Sequence, residues 1–252
     1  MKMDILKYGK LYGIGVGPGD PDLITVKAVK TLHCVDVVYT AASTKNNYSL
    51  AQDIALPHLK EGTPVEKLDF PMTKDRNILE AVWKQNAEKI MATLKDGKDA
   101  AVLTLGDPMT YSTFGYIMKI VKEIKPEIEI CIIPGITSFQ AAAAASKQVL
   151  AEGDESFTVI SGAAGSKKIT EVINNNACVV ILKVYRNYKE IINNLKQLDM
   201  ISKSMLISRC GLKDEVVLED IGKYQDEIPS YFSLLLVKNA NAGMRTGKEQ
   251  EL

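Results

Sequence analysis

Gly13-Ile14-Gly15-Val16-Gly17-Pro18-Gly19-Asp20-Pro21 closes an apolar run that reads as a β-strand over 11–16. Two later stretches repeat the arrangement. Gly106-Asp107-Pro108-Met109-Thr110-Tyr111-Ser112-Thr113 follows a strand over 100–105, and Pro134-Gly135-Ile136-Thr137-Ser138 follows one over 128–133. A strand that ends in glycine and proline leaves bare backbone at the carboxyl edge of a sheet, where open α/β folds bind small ligands. Three such edges in one chain point to one composite site.

The first stretch fails as a dinucleotide fingerprint. Counted from Gly13 and Gly15 the third glycine position is Pro18, and counted from Gly15 and Gly17 it is Asp20. Neither offers the small residue that lets a helix pack tightly on its strand. Asp36 also opens the second strand, whereas the ribose-binding acid of that fingerprint closes it.

Hydrophobic periodicity places the other strands of the first half near 36–40 and 63–68, with helices near 25–34, 49–60, 75–96 and 112–124. Strict β/α alternation of this kind gives a mostly parallel sheet covered on both faces. Thr25 and Asp75 stand as N-caps. Ile78, Leu79, Val82, Trp83, Ile90 and Leu94 form an apolar stripe in which Trp83 reads as a core anchor. The second half repeats the rhythm, with strands near 157–161, 178–183, 204–209, 215–219 and 231–237 and helices near 137–146, 166–175 and 187–198. The fold expected is two α/β domains, 1–134 and 135–238, followed by a polar tail over 239–252. Each has a roughly five-stranded, mostly parallel or mixed sheet flanked by helices, and the active site lies in the cleft between them.

Composition bounds the function. With 252 residues and 46% hydrophobic content the chain can bury one large core or two modest ones. Lys plus Arg equals Asp plus Glu at 31 each, so no global field attracts nucleic acid or an anionic membrane. Cys34, Cys131, Cys178 and Cys210 are scattered without C-x-x-C spacing and read as small buried hydrophobes in a reducing compartment. His33 and His58 are the only histidines, lie on helical stretches and have no ligand spacing. No protein metal site is expected. No leader pattern and no apolar run of membrane-spanning length is visible, so the expectation is a soluble, cytoplasmic protein.

The order of glycine-rich loop, Gly-Asp-Pro loop and Pro-Gly-Ile-Thr-Ser resembles the tetrapyrrole methylase family, the class III S-adenosylmethionine-dependent methyltransferases. The similarity runs from about Leu11 to Leu236. Leu68-Asp69-Phe70-Pro71-Met72, Trp83, and the run from Leu103 to Tyr116 look most like the branch of cobalamin biosynthesis that methylates C20 of cobalt-factor II or precorrin-2. The resemblance implies S-adenosylmethionine as cofactor, a cyclic tetrapyrrole as acceptor, and a homodimer.

Methyl transfer from a sulfonium asks the protein to position, orient charge and exclude water, so loops suffice and no triad is needed. Gly106 allows backbone to approach a ligand, Pro108 stiffens the turn, and Asp107 can accept hydrogen bonds from ligand hydroxyls or loop amides, or cap the helix that follows. The resemblance makes Pro18, Gly106, Asp107, Thr110, Thr137, Ser138, Lys183 and Gly211 cofactor-binding positions. Lys183 is a departure, because the family often has an apolar residue there, and it can instead pair with an acid. An acceptor with acetate and propionate arms calls for cations around an apolar trough. Tyr111, Ser112, Tyr116, Lys183, Arg186 and Arg209 are the candidates, with packing as the alternative for the two tyrosines. No general base is identified, and Asp107 and Tyr111 are the candidates for a direct catalytic part. Other readings stay open: a methylase of the same fold acting on another corrin carbon, a diphthine synthase, a ribosomal RNA ribose methyltransferase, or an NAD-dependent oxidoreductase or nucleotide-binding module.

Overall fold

Five parallel strands make the first sheet: β1 (Leu11–Gly15), β2 (Val37–Ser43), β3 (Val65–Phe70), β4 (Ala100–Thr104) and β5 (Ile130–Ile133), in the order β3-β2-β4-β1-β5. The computed structural model describes residues 7–43, 49–164, 166–224 and 227–239. Helices α1 (Val26–Leu32), α2 (Leu50–Ala55), α3 (Arg76–Lys95) and α4 (Phe114–Ile124) connect the strands. Thr25 caps α1 by accepting from the Ala28 amide, and Asp75 caps α3 by accepting from the amides of Asn77 and Ile78. The strand order decides the position of the site. Because β1 lies between β4 and β5, the three glycine and proline loops leave three adjacent parallel strands at one edge.

Right-handed crossovers put helices on both faces of such a sheet, and the strands are accordingly apolar on both sides. Leu11, Val37, Tyr39, Ala100 and Val102 point into a core with Ala87, Ile90 and Leu94 of α3 and Phe114, Ile117 and Val121 of α4. Ile14, Val38, Ala101 and Leu103 are buried as well.

Phe114 occupies the space that the absent Gly13 side chain leaves. A Cβ on Gly13 would meet the Phe114 ring at 2.4 Å. Trp83 is not the core anchor its place in the stripe suggests. It is half-buried and lies outside the core cluster although it shares a helix face with Ala87, Ile90 and Leu94, and Ile78 is exposed, because α3 is buried only from Asn86 onward.

The chain divides between Thr137 and Ser138 into two compact units. The second begins with α5 (Ser138–Ser146), whose Ala141 and Ala142 are buried, and continues through β6 (Phe157–Ser161), α6 (Ser166–Asn175), β7 (Cys178–Leu182), α7 (Tyr188–Gln197), β8 (Ser204–Ser208), β9 (Val216–Leu218) and β10 (Ser233–Lys238). Its sheet runs β6-β7-β10-β8-β9 and is mixed: β6 and β7 are parallel, while β10 is antiparallel to β7 and β8, and β9 to β8. Antiparallel pairing agrees with the connections after β8, which among the described residues hold no α-helix of crossover length. Ile160, Ile181, Leu206, Leu235 and Val237 pack against Ile169, Ile173, Ile191 and Leu195 of α6 and α7.

Of the expected polar tail, residues 240–252 lie outside the described residues. Cys178 and Cys210 are buried, but Cys34 is exposed, a correction to the reading of the cysteines as buried hydrophobes; it follows the end of α1 rather than entering β2. No helix among the described residues is long and apolar enough to cross a membrane.

Gly13→Ala should destabilise the protein by about 1 to 3 kcal/mol through overpacking against Phe114. Phe114→Leu should relieve part of that cost, so the double variant loses less than the sum of the singles in denaturant titrations.

Candidate active site

The three loops at the carboxyl edge of the first sheet are joined backbone to backbone. Gly17 and Gly106 form an isolated bridge, the Gly106 amide donating to the Gly17 carbonyl at 2.7 Å and the Gly17 amide to the Gly106 carbonyl at 3.3 Å. A Cβ on Gly15 would lie 2.5 Å from the Gly135 nitrogen and 2.6 Å from the Gly106 oxygen, and one on Gly135 would lie 2.2 Å from that same oxygen. Gly106 has φ 73°, a left-handed conformation that costs an L side chain about 1–2 kcal/mol.

Asp107 fastens the same junction. Its Oδ1 accepts from the Met109 amide at 2.9 Å and the Thr110 hydroxyl at 3.4 Å, and its Oδ2 accepts from the Gly135 amide at 3.0 Å. The carboxylate therefore ties the second loop to the third. It does not cap α4: the N-cap is Thr113, which makes no side-chain cap hydrogen bond, and Ser112 Oγ just before it accepts from the Phe114 amide at 3.0 Å.

Pro18 is buried beneath this edge, Thr110 and Thr137 are half-buried, and Ser138 is exposed as the first residue of α5. Tyr111 is exposed with φ 51°. Tyr116 lies in the first turn of α4, stacked on Trp83.

The loops 13–20, 104–114 and 133–138 contain two carboxylates, Asp20 and Asp107, and no lysine or arginine. Hydroxyls of Thr110, Thr137 and Ser138 and strand-end backbone groups are neutral hydrogen-bonding partners. Such a donor set fits a sulfonium nucleoside, since no cation on these loops opposes its positive charge.

Lys183, Arg186, Arg209 and Gly211 gather at one edge of the second sheet. Leu182 at the end of β7 is registered with Leu234, and Ser208 at the end of β8 with Ser233, so the residues that follow these strands flank the start of β10. Arg209 donates its amide to the Phe232 carbonyl at 2.8 Å.

Lys183 and Arg209 are left-handed, with φ 57° and 54°. Two other non-glycine residues with positive φ, Lys147 and Asp199, close α5 and α7 by Schellman hydrogen bonds, from Gln148 to Ala143 and from Met200 to Leu195. Tyr111, Lys183 and Arg209 have no such helix-ending role, and strain of this kind concentrates at functional edges.

The sequence did not reveal what these groups already hold. Arg209 Nε is paired with Asp214 Oδ2, and the guanidinium holds that carboxyl below its ordinary range. Arg186 Nε donates to the Tyr185 hydroxyl at 2.9 Å, and Tyr185 packs against Tyr231 at 4.9 Å between ring centroids. The Gly211 amide donates to Glu215 Oε2 at 2.7 Å. Tyr185, Asp214, Glu215 and Tyr231 are thus missed members of this edge. The one available signal was two acids within six residues of Arg209 in a short connection. Burial and the Glu215 carboxylate push the Cys210 thiol up to about 12.

Asp107→Ala should cost about 1.5 to 3 kcal/mol of stability through loss of charge-assisted hydrogen bonds, and should also weaken S-adenosylhomocysteine in calorimetry as the two loops separate. Unaltered denaturation would remove the inter-loop role. Cysteine alkylation gives a second check. At about pH 8 the exposed Cys34 should be labelled in the native protein while Cys210 stays unmodified, since the thiolate is the reacting form; mass spectrometry of tryptic peptides reads both.

Comparison with known proteins shows the family and the fold. The profile of the tetrapyrrole (corrin/porphyrin) methylases matches residues 10–223. The cobalt-precorrin-2 C(20)-methyltransferase of Salmonella typhimurium is 36% identical over 230 residues, covering 91% of this chain and 96% of that one. A probable cobalt-precorrin-2 C(20)-methyltransferase of Methanocaldococcus jannaschii is also 36% identical, over 233 residues, with the same shares covered. Among solved structures, a cobalt precorrin-4 methyltransferase superposes with a TM-score of 0.70 at 24% identity, over 91% of this chain and 94% of that one, which shows a shared fold. With a family match over residues 10–223 and relatives covered over nearly their full length at this identity, the chain belongs to the tetrapyrrole methylases and is an S-adenosylmethionine-dependent methyltransferase.

Proposed function

We propose that the protein methylates a precorrin-type tetrapyrrole in cobalamin biosynthesis, and that the carbon methylated is C20 of cobalt-factor II or precorrin-2. The observation that carries this reading is the end-to-end similarity to two relatives that bear C20 names. The runs Phe70-Pro71-Met72 and Tyr111-Ser112-Thr113 support the same branch.

S-adenosylmethionine, when bound, supplies an electrophilic methyl group already activated on sulfur. The chain's own part is positioning. In the first domain, proposed over 1–134, the backbone at Gly106 and the Thr110 hydroxyl contact the donor, while Pro18 and Asp107 shape the loops beneath it; the family resemblance adds Thr137, Ser138 and Gly211 as donor contacts. Asp107 acts by holding its loop against Gly135, since its oxygens are engaged there. In the second domain, proposed over 135–238, Lys183 and Arg186 offer cations to the acetate and propionate arms of the acceptor. Arg209, paired at Nε with Asp214, joins them as a third cation. Ser112 and Tyr111 border the acceptor on the first edge. The family resemblance also supports a homodimer, which sedimentation of the full chain tests.

Anaerobic turnover of cobalt-factor II and metal-free precorrin-2 in parallel, with product mass and the methylated carbon read by NMR, tests the assignment. A methyl group at any carbon other than C20 overturns it. Arg186→Met should raise the acceptor KM about tenfold through loss of a charged hydrogen bond, with S-adenosylhomocysteine affinity kept. Arg186→Lys should recover only part of this, because an ammonium lacks the planar fork.

A further inference from the structure

The rings of Trp83 on α3 and Tyr116 on α4 stack with centroids 3.9 Å apart and planes 6° apart. The helix pair does not need them for its core, which Ala87, Ile90 and Leu94 of α3 and Phe114, Ile117 and Val121 of α4 fill. The aromatic pair sits outside that core. Trp83 is half-buried, and Tyr116 keeps 47% of its surface exposed although one ring face lies on Trp83. Its exposed surface therefore lies away from Trp83.

Position gives the pair its meaning. Tyr116 stands in the first turn of α4, its amide donating to the Thr113 carbonyl at 3.2 Å, directly after the Gly-Asp-Pro loop. Met109 and Tyr111 on that loop are 57% and 55% exposed. Exposed apolar side chains thus stand on the loop that leads into α4, and on the first turn of that helix stands a flat aromatic surface whose orientation a second ring fixes. A planar, conjugated ligand is what such a surface fits: stacking needs a flat partner and gains most when the platform is already ordered.

We propose that Tyr116, held flat by Trp83, is the stacking platform for one pyrrolic face of the tetrapyrrole acceptor, with Met109 and Tyr111 continuing the apolar contact. Tyr116 touches the acceptor, and Trp83 acts through it as a positioning residue. The inference rests on the reading of the acceptor as a tetrapyrrole, and the arms of the test separate the two.

Tyr116→Leu and Trp83→Leu remove one ring each, and Tyr116→Phe and Trp83→Phe keep a flat face. With cobalt-factor II as acceptor, the leucine variants should raise KM about 3- to 10-fold, the size of a lost aromatic stack, while kcat and S-adenosylhomocysteine affinity hold. The phenylalanine variants should return KM most of the way to the wild-type value. Leucine variants that melt earlier or lose a dimer in sedimentation, yet keep the acceptor KM, would show a packing or subunit surface and overturn the platform while leaving C20 methylation intact. A Soret titration with uroporphyrin III covers the converse case. If the wild-type protein does not methylate cobalt-factor II but shifts the uroporphyrin Soret band, and Tyr116→Leu weakens that binding, the platform stands and the C20 reading falls. If neither tetrapyrrole binds the wild-type protein, both fall.

Discussion

The first sheet's ligand edge depends on how closely three loops can approach. A methyl group on Gly15 or Gly135 would overlap backbone atoms, and the Gly17–Gly106 bridge and the Asp107 carboxylate hold the contact in register. Backbone cannot retreat as a flexible side chain can, so the identity of Gly15 and Gly135 is set by space, whereas that of Gly106 is set by its left-handed φ. The glycine and proline signatures are thereby explained first as joinery. The bare edge that the joinery leaves is the candidate ligand site.

Charge is distributed unequally between the two edges. The loops of the first sheet carry carboxylates and neutral hydroxyls but no cation, whereas the second sheet's edge carries Lys183, Arg186 and Arg209. A sulfonium donor and a polycarboxylate acceptor have opposite needs, and under the proposed function different elements would meet them. The balanced overall composition hides the division, because equal totals of acid and base say nothing about which loop holds which. Arg209 and Arg186 are also pre-ordered, by Asp214 and Tyr185 respectively.

Backbone strain separates ordinary positions from candidate functional ones. Lys147 and Asp199 take left-handed geometry as helix ends with satisfied carbonyls, which any chain reversal requires. Tyr111, Lys183 and Arg209 take it on the strand-end and loop segments that carry the candidate ligand contacts. The side chains there point where an extended backbone would not send them.

Much of this protein was determined by local sequence. The alternation of apolar runs and capped helices sets the elements, since Thr25 and Asp75 satisfy amides within their own first turns, and the strand-loop signatures mark which ends carry the ligand edge. Tertiary structure alone decided which ends meet. The placement of β1 between β4 and β5 is a matter of strand order, which no local pattern encodes, and so is the flanking of β10 by β7 and β8. It also decided partners at long range. Asp107 reads as a ligand residue or a helix cap until Gly135, 28 residues away, donates to it, and Trp83 reads as core until α4 brings Tyr116 against it. Periodicity reports the face a residue takes on its own helix, while burial depends on what packs there, and that is a property of the assembled fold.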